Sequence, residues 1–241
     1  MTQINHQTAK GIFPAAVILW LGFGAAALAG PIGPPAPNLQ PGQFELAVEL
    51  DLASRDIHFE DRDLEERTRM YLVKGGYGLG GRINLYGAVG AASSRDDEGF
   101  DGDPGTVFGG GVRLGLFEYQ GILVGVTGQA LRFSSRDSTA FGLNEITLTY
   151  DWTVYDVALG ARTKMADSNF YAAALYSKID GELQASLPGL PDQTARFKEA
   201  HDLGLLMGGD AEFLGKARFG FELRLIHETA LALRLSVPFG R

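Results

Sequence analysis

The 241-residue sequence contains no cysteine, which removes several classes of protein at once. Disulfide-stabilised domains, thiolate zinc sites, iron–sulfur clusters and cysteine nucleophiles all require that side chain. Basic residues are also scarce, because 21 Lys and Arg stand against 29 Asp and Glu, for a formal net charge of -8. Nucleic-acid binding needs a basic surface to neutralise phosphates, so we expect no nucleic-acid partner. Beyond residue 29, no apolar run reaches the roughly 18–20 residues that a membrane-spanning helix needs.

The first 29 residues have the composition of an export signal. Lys10 makes the start positive, and residues 11–29 then carry no charge and end in Ala27-Leu28-Ala29. A positive start, an apolar centre and an A-x-A exit are typical of a signal peptide that is cleaved. The alternative is a membrane-anchor helix, since the stretch is nearly long enough to span a bilayer. Pro14 inside the stretch and the A-x-A exit favour a signal peptide over residues 1–29.

Residues 30–42 form a separate, proline-rich stretch. Five of the ten prolines fall between Pro31 and Pro41, within the sequence GPIGPPAPNLQPG. Proline-rich chain favours an extended, semi-rigid conformation. The composition therefore predicts a periplasmic spacer over residues 30–42 that is not part of a hydrophobic core.

The rest of the chain alternates apolar and other side chains. In residues 44–52 every even position is apolar and every odd one is small or acidic, and residues 217–225 and 231–239 repeat the alternation. A period of two with one apolar face predicts β-strands. Extending the pattern along the chain gives predicted strands at 43–56, 64–78, 82–92, 106–117, 121–133, 144–162, 168–182, 198–211, 216–227 and 229–239.

The predicted connections alternate in length. Short turns alternate with longer polar loops around 57–63, 93–105, 134–143 and 183–197. Short turns at one end and long loops at the other are typical of bacterial transmembrane barrels, and aromatic residues near both strand ends suit interfacial girdles. The alternative is a soluble β-sandwich or lipocalin-like barrel, in which the apolar faces would point inward. We predict an all-β, antiparallel up-and-down transmembrane barrel over residues 43–241, with ten strands or alternatively eight, and a narrow or plugged lumen.

The last predicted strand ends in Leu235-Ser236-Val237-Pro238-Phe239 and resembles the C-terminal strand of Gram-negative outer-membrane β-barrel proteins. In that class the strand is an assembly signal that ends at the aromatic residue, whereas Gly240 and Arg241 follow it in this sequence. The resemblance extends over residues 42–239 as a pattern, to small OmpA/OmpX-like barrels and the ten-stranded class, without a match to one family. It implies an outer-membrane location, contact with membrane lipid and lipopolysaccharide, and insertion by the barrel-assembly machinery.

Charged residues between the apolar positions are expected to meet inside the barrel. The residues predicted to face lipid are Phe44, Leu46, Val48, Leu50, Phe219, Phe221, Leu223, Leu231, Leu233 and Leu235. An arginine that faces mid-bilayer lipid costs about 2–4 kcal/mol, whereas carboxylates inside the barrel satisfy its planar fork. A tight turn centred on Glu228 would set Arg234 opposite Glu222, and barrel closure would bring Arg234 near Glu49. The predicted lumen charge lattice consists of Glu45, Glu49, Asp51, Arg113, Arg218, Glu222, Arg224 and Arg234.

The strand predicted at 144–162 breaks the alternation. Apolar residues occupy even positions as far as Trp152 and odd positions from Tyr155 onward. A regular strand does not switch faces, so we predict a β-bulge near residues 153–154. No switch is needed if the upper part of this strand instead stands clear of the membrane.

Residues with catalytic or metal-binding chemistry do not form a convincing set. His201 and Asp202 are adjacent on a predicted strand and point to opposite faces, so they cannot form a dyad. Asp101 and Asp103 belong to an acidic loop, 93–105, that could hold Ca²⁺ but lacks the EF-hand spacing. A solvated acidic loop is the better interpretation. We predict no catalytic residue, no cofactor and no metal.

These features predict a non-enzymatic outer-membrane barrel with a structural or surface-interaction role, which passes small solutes slowly at most. The alternative is an outer-membrane enzyme that acts on lipid or peptide at the extracellular rim. A histidine within hydrogen-bond reach of a carboxylate or serine in a rim cleft would favour the enzyme. The oligomeric state is not indicated by the sequence.

Overall fold

The structure of this chain is a computed structural model that describes residues 30–59, 62–97, 99–141, 144–186, 188, 191–200, 202–226 and 228–240. The predicted signal peptide, residues 1–29, lies outside the described residues. Among the described residues, no helix has the length and apolar character to cross a membrane. The strands are β1 (Phe44–Phe59), β2 (Arg62–Gly80), β3 (Ile83–Asp96), β4 (Gly105–Tyr119), β5 (Ile122–Phe141), β6 (Asn144–Met165), β7 (Ser168–Ser186), β8 (Gln193–Glu199), β9 (Leu203–Leu214), β10 (Ala217–Leu225) and β11 (Glu228–Phe239).

The strands close into an antiparallel barrel. Neighbours along the chain pair from β1 to β7, then β7 pairs with β9, and β11 returns to β1 from Phe44↔Phe239 to Arg55↔Glu228. This ring of ten strands confirms the predicted count and excludes the alternative of eight. The short β8 is additional, because it pairs with β7 and with the upper end of β1, beyond the shorter β9–β11. The predicted strand 198–211 was therefore wrong in joining part of β8 to β9.

Strands occupy much of the chain that was predicted as long loops. β5 and β6 pair without a break as far as Phe141↔Asn144, and β1 and β2 pair as far as Phe59↔Arg62. Residues 134–141 are mostly polar on both faces, so they show no apolar alternation, but a backbone ladder does not require one. At the other end the turns are tight: Gln120 and Gly121 both have positive φ, the geometry of a type I′ turn. We call the tight-turn end the periplasmic end, following the usual orientation of such barrels.

The outer face is apolar over the lower part of the barrel. All ten residues predicted to face lipid are exposed or half-exposed, with Val48 57% and Leu46 52% exposed. At the closing seam the Phe44 ring stacks on Phe239, with centroids 5.8 Å apart, and contacts Tyr77 at 4.6 Å. The predicted orientation of these strands is correct.

The predicted β-bulge in β6 is wrong. The pairing of β6 with both neighbours runs without a register shift through residues 150–158. Tyr150, Trp152 and Val154 point into the barrel and are buried, whereas Tyr155 and Val157 point outward. In the upper part of β6 the inward face is apolar, whereas in its lower part the outward face is apolar. The apolar side chains therefore switch from one face to the other along a regular strand, without a bulge. β6 has 22 residues, about twice the 9–11 that a strand needs to cross a membrane, so its upper part has room to stand clear of lipid.

Candidate functional site: the filled lumen

Residues 30–41, called the plug below, run from inside the barrel to its periplasmic mouth, where Gln40 and Pro41 are exposed. The chain enters the lumen at the periplasmic end, where the Gly42 N–H donates to the Gly78 carbonyl oxygen at 2.8 Å. Residues 30–37 and 39 are buried. The prediction of a spacer outside the core is therefore corrected. Proline has no N–H, so a proline-rich segment brings few backbone donors that need partners in the lumen. Composition alone therefore does not distinguish a segment buried in a barrel from an exposed linker.

Side chains of the barrel wall bind the backbone of the plug. The Glu222 carboxylate accepts hydrogen bonds from the N–H groups of Ile32 at 3.0 Å and Gly33 at 2.6 Å. The Arg113 guanidinium donates to the Ile32 carbonyl oxygen at 2.9 Å. Other wall side chains bind plug backbone atoms: Lys74 binds Pro31, Thr127 binds Pro34 (3.1 Å), Gln129 binds Gly30 (2.9 Å), and Asn84 binds Asn38 (2.8 Å) and Leu39 (3.0 Å). Side chains of the wall thus supply the hydrogen-bond partners that neighbouring strands supply to the backbone of a strand.

A buried ion-pair cluster surrounds Arg224. Its guanidinium donates to both carboxylate oxygens of Asp51 at 2.9 and 2.8 Å, to Glu222 at 3.0 Å and to Glu228 at 2.5 Å. Arg55 also pairs with Glu228, at 2.8 Å. We call these five residues the Arg224 cluster. Because Glu222 also binds the plug, the cluster and the plug form one network.

A second group of ion pairs lies nearer the periplasmic end. Arg234 pairs with Glu45 and lies 3.5 Å from Glu49. Lys74 pairs with Glu49 at 2.8 Å. The strand opposite Arg234 carries Gly220 at that position, not the predicted Glu222, because the β10–β11 register differs by two residues from the expected one. Glu222 instead lies opposite Ala232.

The eight predicted lattice residues have two kinds of partner. Glu45, Glu49, Asp51, Glu222, Arg224 and Arg234 belong to the ion pairs above. Arg113 and Arg218 have partners outside the predicted lattice. Arg113 binds the plug and lies over the Tyr86 ring at 4.5 Å, and Arg218 pairs with Asp210 at 2.6 Å. Sequence reasoning missed Arg55, Lys74, Asp210 and Glu228, although strand parity places them on the same inward face.

The upper lumen is closed by an apolar core. Trp152 packs against Phe133 and Phe197, with ring centroids 4.7 and 5.1 Å apart. The buried members of this core are Ile57, Leu64, Met70, Leu72, Ala92, Phe100, Val107, Phe133, Tyr150, Trp152, Val154, Ile179 and Phe197. We call them the upper core. A few polar side chains are buried beside them, among them Glu66, which accepts hydrogen bonds from Thr68 and Ser94.

The extracellular rim carries exposed polar pairs. His58 Nδ1 lies 2.8 Å from Asp63 Oδ1, and both side chains are more than half exposed on the outer face, not in a cleft. In the acidic loop, Asp101 pairs with Arg95 at 2.6 Å, and Asp96 accepts a hydrogen bond from Tyr150. His201 lies outside the described residues. Within the part of the chain that is described, no group of acidic and histidine side chains could hold a metal ion.

A polar recess opens beside the plug at the periplasmic mouth. Its volume is about 440 Å³, and wall residues with both signs of charge line it, among them Glu118, Arg162, Glu212 and Arg218. Pro37 and Leu39 of the plug form its inner side. The recess therefore exposes the base of the plug to the periplasmic end.

A closed antiparallel ring with an apolar outside and a filled interior defines the class of this protein, which has the fold of the outer-membrane β-barrels. It is similar to the translocator domain of the autotransporter NalP from Neisseria meningitidis, with a TM-score of 0.51 and 10% identity over 85% of this chain and 90% of that chain. It is also similar to the outer-membrane protease OmpT from Escherichia coli, with a TM-score of 0.49 and 10% identity over 84% of this chain and 99% of that chain. Neither a protein-family model nor a curated protein matches the sequence. At this identity the likeness concerns the fold alone.

Proposed function

We propose that this chain is a non-enzymatic outer-membrane protein whose closed barrel has a structural role or presents a surface for contacts outside the cell. The observation that carries the proposal is the double closure of the lumen. The plug fills the lower part, where wall side chains hold its backbone, and the upper core fills the part above it. A solute would have to displace both, so small-solute passage is slow at most.

The wall that extends beyond the membrane is the surface we assign to outside contacts. β5 and β6 have 20 and 22 residues, about twice the length that crosses hydrocarbon. Arg69, Arg132 and Lys178 are exposed on the outer face where it changes from apolar to polar. Cations at that level suit the phosphates of lipopolysaccharide, which we propose as a partner together with membrane lipid.

Export and insertion complete the proposal. Removal of residues 1–29 as a signal peptide would deliver the chain to the periplasm. The C-terminal strand β11 ends at Phe239, an exposed aromatic at the periplasmic end, and is the segment we propose for recognition by the barrel-assembly machinery.

Conductance in planar lipid bilayers tests the closed lumen. We expect the purified mature protein to give silent or very small currents. A variant without residues 30–41 should remain nearly silent, because the upper core still closes the barrel. A matched extract from cells that lack the protein controls for contaminating porins. Large, stable channels from the parent protein would contradict the proposal and indicate a porin.

A further inference from the structure

Two buried polar atoms beside the tip of the plug have no hydrogen-bond partner other than each other among the described residues. They are Oδ1 of Asp156 and Oγ of Ser177. The two residues lie opposite each other on β6 and β7 and are 1% and 0% exposed. Buried polar groups are normally hydrogen-bonded, and a buried carboxylate that stays ionised needs a counter-charge as well.

The buried charges of the described lumen are also unbalanced. Ion pairs join Glu45, Glu49, Asp51, Glu222 and Glu228 to the cations Arg55, Lys74, Arg224 and Arg234. Two other buried carboxylates, Asp156 and Glu66, have no ion pair in the described part of the chain. The remaining buried cation, Arg113, binds the plug, so among the described residues Asp156 has no cation in direct contact.

The tip of the plug lies next to this carboxylate. One nitrogen, Nε2 of Gln129, donates both to the Gly30 carbonyl oxygen and to Asp156 Oδ2, each at 2.9 Å. Gly30 is also held against the base of the upper core, since a Cβ at this position would meet Leu131 Cδ1 at 2.1 Å and Met70 Sδ at 3.6 Å. These contacts, together with the Gln129 hydrogen bond, place residue 30 close to Asp156.

We propose that the plug ends in a free amino group and that the Gly30 ammonium binds Asp156 Oδ1 and Ser177 Oγ. The proposal rests on the removal of residues 1–29 proposed above. Water hydrolyses the Ala29–Gly30 peptide bond, the Ala29 carboxylate leaves with the signal peptide, and the Gly30 nitrogen takes up protons to become an ammonium at neutral pH. Its three N–H donors suit the Asp156 carboxylate oxygen and the Ser177 hydroxyl oxygen, which both accept hydrogen bonds, and its charge neutralises Asp156. Export processing thereby creates the group that locks the plug in the lumen.

The test combines an N-terminal modification with substitutions. Intact-mass measurement first establishes whether the mature protein begins at Gly30, and any other N-terminus overturns the proposal. The unfolded mature protein is then acetylated near neutral pH, where the α-amine reacts ahead of the lysines, refolded in detergent micelles and unfolded with urea. Acetylation removes the charge, and we expect it to raise the unfolding equilibrium constant of the parent by about tenfold or more.

The coupling between the modification and Asp156 decides the outcome. In Asp156→Asn, and more weakly in Ser177→Ala, acetylation should have a much smaller effect than in the parent. Glu66→Gln is the matched control, because Glu66 is another buried carboxylate without an ion pair, and acetylation should act there as in the parent. Equal effects of acetylation in the parent, Asp156→Asn and Ser177→Ala would overturn the proposal. Channel conductance does not enter this experiment, so its failure is separate from failure of the closed-lumen function.

Discussion

Replacement of Arg224 by methionine is the most direct test of the lumen network. All three guanidinium nitrogens of Arg224 donate hydrogen bonds, to Asp51, Glu222 and Glu228, and the side chain is fully buried. Arg224→Met keeps most of the apolar stem, so the change removes the charge and the donors with little loss of volume.

The expected loss of stability depends on which hydrogen-bond partners each carboxylate keeps after the substitution. Glu222 keeps its hydrogen bonds to the plug, and Glu228 keeps Arg55, but Asp51 loses the partner of both its oxygens. Breaking a buried ion pair on one side costs about 3–5 kcal/mol. We therefore expect Arg224→Met to lower the free energy of unfolding by about 3–5 kcal/mol. Arg224→Lys retains the charge without the planar fork and should cost about 1.5–3 kcal/mol.

Urea unfolding in detergent micelles measures this loss. Tryptophan fluorescence reports on Trp152 in the upper core, since the other tryptophan, Trp20, belongs to the predicted signal peptide. The control is Arg132→Met, which breaks an ion pair with Asp151 on the exposed outer face and should leave the unfolding midpoint unchanged. If Arg224→Met unfolds at the same urea concentration as Arg132→Met, the buried network does not stabilise the barrel and the reasoning is refuted.

Three further substitutions test the outer face, the upper core and the plug, with unfolding followed by circular dichroism. Val48→Arg places a charge on the lipid face and should cost about 2–4 kcal/mol; a neutral result would mean that this face does not meet lipid. Trp152→Ala should lower the free energy of unfolding by about 3–5 kcal/mol. A loss smaller than that from replacing an exposed aromatic residue would mean that the upper core does not stabilise the barrel. Gly33→Ala should cost about 1–2 kcal/mol, because Gly33 has a φ of 77° and its Cβ would lie 2.6 Å from Arg113; unchanged stability would place the plug outside the lumen.

Alternation predicted the strands well wherever one face meets lipid. The bilayer excludes polar side chains from that face, so β1, β10 and β11 show their orientation in the sequence. The same reasoning failed above the membrane, because there the outer face does not contact lipid and need not be apolar. Residues 134–141 were predicted as a loop because they are polar on both faces, and β6 was predicted to bulge because its inward face becomes apolar at Trp152.

The lumen was harder to predict than the wall. Parity assigns Arg224 and Arg234 to the inside, but their partners depend on register, and a difference of two residues exchanged Glu222 for Gly220 opposite Arg234. The plug was missed for another reason. The plug does not pair with a strand, so no alternation of side chains indicates where it lies. Asn84, which binds the plug, has no feature in the sequence that distinguishes it from an ordinary strand residue.

The plug also explains why inward-facing side chains change character along a single strand. Going up the barrel, the inward residue above Lys74 on β2 is Leu72, and the inward residue above Asp156 on β6 is Val154. Below this level the buried backbone of the plug has no neighbouring strand, so each of its N–H and C=O groups needs a side-chain partner and the wall must be polar. Above the level of Gly30 the described lumen holds wall side chains only, so a polar group there needs a partner on the wall itself, as Glu66 has in Thr68 and Ser94. On these two strands the first apolar inward residues therefore lie near the tip of the plug.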